Sequence, residues 1–67
     1  MSDPRIERLR AAALAYRDDG DRAHLDLLRQ HGERDVAHAL TMERAVSGEK
    51  RSTYTADVDR WLASLPA

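Results

Sequence analysis

Apolar residues recur along this chain at helical spacing, broken by glycines and short polar stretches, and the pattern predicts four helices. Asp3 followed by Pro4 is a helix start: an aspartate can cap the first free amides, and proline suits the first helical position, where no donor is needed. Ile6, Leu9, Ala13 and Tyr16 then fall at i, i+3, i+7 and i+10, which predicts a core-facing helix over about 4 to 19, stopped by Gly20. Asp21 opens a second, shorter helix over about 21 to 31. Its Ala23, Leu25, Leu27 and Leu28 cover more than one face, as expected of a helix wedged between two neighbours.

Gly32 and Gly48 bracket the third segment. Val36, Ala39, Leu40 and Val46 make an inward stripe, Glu33 and Asp35 suit the positive end of the helix dipole, and one helix over about 33 to 47 accommodates all of them. Glu49-Lys50-Arg51-Ser52-Thr53 reads as an exposed connection. A last helix over about 55 to 65 is then expected, capped by Thr53 or Thr55 and ended by Pro66. Here Tyr54, Val58, Trp61, Leu62 and Leu65 stand at i, i+4, i+7, i+8 and i+11, the strongest amphipathic pattern in the chain. β-branched residues are sparse and never alternate, so no strand is expected. The predicted fold is all-α: one small domain over 1–67, a compact bundle of three principal helices plus a C-terminal helix.

Composition adds a constraint on stability. After Met1 there are sixteen large apolar side chains, a small core for 67 residues, and without cysteine neither a disulfide nor a cysteine-rich zinc site can staple it. Association with itself or with another protein is the remaining common route. No N-terminal apolar run resembles a signal peptide and no segment approaches the roughly 18 apolar residues of a membrane span, so no membrane partner and a cytoplasmic location are expected.

Charge is high but balanced, 11 basic residues against 12 acidic, and the balance holds almost segment by segment. Nucleic-acid binders usually concentrate positive charge, because phosphate contacts supply much of their affinity. The string ALTMERAVSGEKRS nevertheless resembles a helix-turn-helix unit over its fourteen residues. In that register Asp35 to Leu40 would end the first helix, Thr41 and Met42 would turn, and Arg44, Lys50 and Arg51 would reach DNA. Thr41 stands where such units favour glycine, and Gly48 cuts the second helix to barely one and a half turns, so one continuous helix is the simpler expectation.

Chemistry is thinly represented. His24, His31 and His38 are spaced by seven residues, but seven residues along one helix is about 10 Å, too far for two imidazoles on one ion. No phosphate loop, cysteine nucleophile or nucleophile elbow is present, and a Ser47, His38 and Asp35 triad is no more than any small helical protein could assemble. No enzyme, cofactor or metal is therefore expected. Tryptophan and tyrosine are frequent interface anchors, and the stripe of Tyr54, Val58, Trp61, Leu62 and Leu65 matches helix-in-groove spacing, so these residues are the expected partner-binding surface. The competing expectation is that the same stripe closes the domain's own core.

Overall fold

Caps written in the sequence set the first helix boundaries of the computed structural model, which describes residues 3–66. Helix α1 (Pro4–Asp19) starts with the Asp3 carboxylate accepting from the Arg5 amide at 2.8 Å and Pro4 in the first turn. Helix α2 (Arg22–Gln30) starts in the same way, the Asp21 carboxylate accepting from the Ala23 amide at 3.0 Å. It ends in a Schellman motif: the Gly32 amide donates to the Arg29 carbonyl and the Glu33 amide to the Leu28 carbonyl, at 3.0 and 2.9 Å. That geometry needs a left-handed residue at the helix end, which Gly32 supplies at φ 81°.

Helix α3 (Arg34–Ala45) runs unbroken through Thr41 and Met42. The break comes at Val46 and Ser47, after which α4 (Gly48–Ser64) follows. Two expectations are corrected here. The third helix ends at Ala45, leaving Val46 half-buried in the turn, its extended backbone (ψ 172°) carrying the chain out of the helix. The last helix begins at Gly48, so residues 49–53 are helix and not a connection. Glu, Lys and Arg are good helix formers, and the hydroxyls of Ser52 and Thr53 turn back onto the carbonyls of Gly48 and Glu49 at 3.4 and 3.1 Å, so Thr53 lies within the helix and does not cap its start. A polar helical turn with only its solvent side on view reads as a loop in sequence.

The helices pack as two hairpins, α1 with α2 and α3 with α4, with α2 and α3 joining them and α1 also meeting α3. Leu9, Ala12, Ala13 and Tyr16 of α1, Leu25 and Leu28 of α2, and Val36, Ala37, Ala39 and Leu40 of α3 are buried together, with Val58 of α4. Four alanines in that cluster let the backbones approach closely, which is how a chain with few large side chains still closes a core. Every described residue outside the helices belongs to a turn or a terminus, and no strand is present among them. No helix among the described residues is long and apolar enough to cross a membrane.

Candidate functional site

A charged pin fixes α4 against the other helices. Glu43, only 7% exposed, is the buried charged residue of the core, and the Arg17 guanidinium grips its carboxylate with two hydrogen bonds of 3.0 and 3.1 Å. The same guanidinium reaches α4, pairing with Asp59 at 2.9 Å and donating to the Thr55 carbonyl at 3.4 Å. Partial burial opposes the charged form of Arg17, but hydrogen bonds and attraction from Glu43 and Asp59 outweigh it and raise its pKa above the ordinary arginine value. One side chain of α1 thus joins α3 to α4.

On α4, Thr55 and Asp59 lie to one side of Val58, and Tyr54, Asp57 and Trp61 project on the other. Along that second side a groove of about 480 Å³ opens between α3 and α4, floored by Tyr54 and Trp61 and edged by Asp35, His38, Asp57 and Arg60. The Trp61 indole N–H donates to the Glu33 carboxylate at 3.1 Å, which ties the ring to the start of α3. The His38 ring stands edge-on to Tyr54, with centroids 6.1 Å apart. Arg60 pairs with Asp57 at 3.3 Å along the helix. On the other side of Tyr54, the one residue it shares with the groove, lies a second hollow of about 330 Å³, lined by Met42, Val46, Lys50 and Thr53.

The residues expected to bind a partner divide between core and surface. Val58 is fully buried and belongs to the core, so its expected place on a contact surface is corrected: it is the inward member of the amphipathic stripe. Tyr54, Trp61 and Leu62 are half-buried against that core, and Leu65 is half-buried at the helix end. Only Tyr54 and Trp61 of the five line the groove. The stripe does not single out Asp35, His38 and Met42, because they belong to α3. Their spacing on the side of α3 next to its core stripe carries that signal, once α3 and α4 are known to pair.

The three residues expected at DNA are all exposed, and they differ in what they touch. Arg44 lies in the last turn of α3 and is committed to α1: it donates to the Arg17 and Tyr16 carbonyls at 3.3 and 3.5 Å, and its guanidinium lies 5.6 Å from the centre of the Tyr16 ring. A cation there satisfies the negative end of α1. Lys50 and Arg51 are exposed in the first turns of α4. The turn of the helix-turn-helix register also moves, from Thr41–Met42 to Val46–Ser47.

The histidines are dispersed. His24 meets Asp19 at 3.2 Å, His31 caps the end of α2, and His38 lies at Tyr54. Among the described residues no three His, Asp or Glu side chains gather as a metal site would require. Comparison with protein-family models, with curated proteins and with solved structures finds no match to this chain.

Proposed function

We propose that this chain is a non-enzymatic helical protein-interaction module, and that the groove between α3 and α4 is its contact surface. The observation that carries the reading is the pair of half-buried aromatic residues on the groove floor, Tyr54 and Trp61, framed by charged side chains. Rigid aromatic anchors in a groove with a polar rim are how interfaces concentrate binding energy. Two polar contacts frame that floor, Glu33 with the Trp61 indole and the exposed pair of Asp57 with Arg60.

A photo-reactive phenylalanine analogue at Thr53, an exposed residue beside the groove, tests this in the cell of origin, with the same analogue at exposed Arg29 of α2 as control. The expected result is a discrete protein adduct from Thr53 that Arg29 does not give. Indistinguishable adducts from the two positions would refute the reading. DNA binding by a helix-turn-helix-like regulator is the alternative, and with Arg44 committed to α1 it rests on the exposed Lys50 and Arg51. It predicts duplex binding that falls steeply with salt and is lost in Lys50→Ala/Arg51→Ala.

A further inference from the structure

Resting on the groove as the contact surface, we infer that its occupant is a second copy of this chain, docked antiparallel so that the two α4 helices meet near Tyr54. The groove is asymmetric in charge along its length. At the Trp61 end stand Glu33, Asp35 and Asp57 against the single cation Arg60, whereas the hollow at the other end is apolar, with Lys50 at its edge. On α4 the residues Lys50, Tyr54, Asp57 and Trp61 are spaced i, i+4, i+7 and i+11, which places them on one face of the helix.

Such a face complements itself under a two-fold axis. With α4 antiparallel to α4 of the second copy and the axis between positions 53 and 54, Lys50 faces Asp57 of the second copy and Thr53 faces its Tyr54. The same register sets Asp59 opposite Gly48, the first residue of the second copy's α4, and so carries Trp61 just past that helix start, to the turn where Met42 and Val46 line the apolar hollow. Each contact occurs twice, as an isologous interface requires. A parallel arrangement would set Lys50 on Lys50 and Asp57 on Asp57, and like charges placed opposite each other select against it. The Asp57–Arg60 pair within one chain is exposed, so Asp57 can turn to Lys50 at little cost.

Sedimentation of the purified chain over a concentration series tests the inference, with Lys50→Glu and Asp57→Lys as variants. Both residues are exposed, and matching far-ultraviolet circular dichroism would establish that the variants fold. The wild-type chain is expected to dimerise, and each variant alone, with like charges at both symmetric contacts, to dimerise at least about tenfold more weakly. An equimolar mixture of the two variants restores opposite charges at both contacts and is expected to recover the wild-type association. A wild-type chain that stays monomeric to about 1 mM overturns the second copy as occupant, while a groove adduct with a different protein at Thr53 would leave the groove reading standing. Dimers indifferent to both charge reversals and to Met42→Glu would place association on another face and overturn the second copy as the groove's occupant.

Discussion

Replacing Glu43 by glutamine asks whether the buried pin holds α3 and α4 in register. Glutamine keeps the volume and removes the charge, so Arg17 loses two charge-assisted hydrogen bonds and retains Asp59, whose side chain is 59% exposed. Removing one partner of a fully buried pair costs about 3 to 5 kcal/mol. Here the Arg17 side chain is itself 25% exposed and keeps a second carboxylate, which brings the expected loss down to about 2 kcal/mol. For a domain of this size that is a fall in Tm of about 8 to 16 °C. Urea unfolding followed by circular dichroism reads the free energy directly, with the slope checked for constancy. Asp59→Asn, on the exposed arm, is expected to cost less than about 0.5 kcal/mol. Arg17→Met/Glu43→Met together should fall within about 1 kcal/mol of wild type, because a packed apolar pair replaces the desolvated one without leaving a charge behind. A cost for Glu43→Gln under about 0.5 kcal/mol at unchanged slope would make the pin no more than a surface pair.

Three further predictions concern features outside the pin. Ser52→Pro removes a helical hydrogen bond and crowds the preceding turn, so it is expected to destabilise by about 3 kcal/mol in urea unfolding, whereas in an exposed connection it would be nearly silent. Gly32→Ala imposes a left-handed backbone on a residue with a Cβ, although nothing lies within 4 Å of that position, and is expected to cost about 1 to 2 kcal/mol, read as a lower urea midpoint. Asp19 is held below the ordinary carboxylate pKa by the Asp21 amide and by His24, so its contribution is present above that ordinary value and is lost as pH falls through the lower folded one. Stability measured against pH should therefore show wild type above Asp19→Asn at neutrality, with the gap closing in acid.

Caps and periodicity make the first half of the fold legible, because Asp3, Asp21, Gly20 and Gly32 are local signals whose chemistry does not depend on the rest of the chain. The start of α4 is illegible for the opposite reason. Residues 49–53 carry no apolar stripe, and they are helical through backbone continuity with a segment anchored one turn later, at Tyr54 and Val58. The groove is half legible. Tyr54 and Trp61 declare themselves as aromatic residues on an amphipathic helix, but the α3 wall of Asp35, His38 and Met42 has no motif, and only the pairing of α3 with α4 assembles it. Arg44 shows the limit in the other direction: a surface cation in sequence becomes a cap for α1, whose end at Gly20 lies so close beneath it that an added Cβ would be 2.7 Å from the guanidinium carbon.

The economy of α4 bears on why its outer face should be occupied. A helix of 17 residues here buries only Val58 completely, while Tyr54, Trp61 and Leu62 are packed against the core on one side only. Apolar area that is half covered contributes correspondingly less to folding, and a small domain without disulfides has little of it to leave uncovered. Covering the groove with a partner would return that contribution and couple binding to stability, since whatever binds only the folded chain stabilises it by mass action. The consequence is measurable without knowing the partner. If the occupant is a second copy, the Tm of the purified chain rises with its own concentration, and the Lys50→Glu chain does not share that rise.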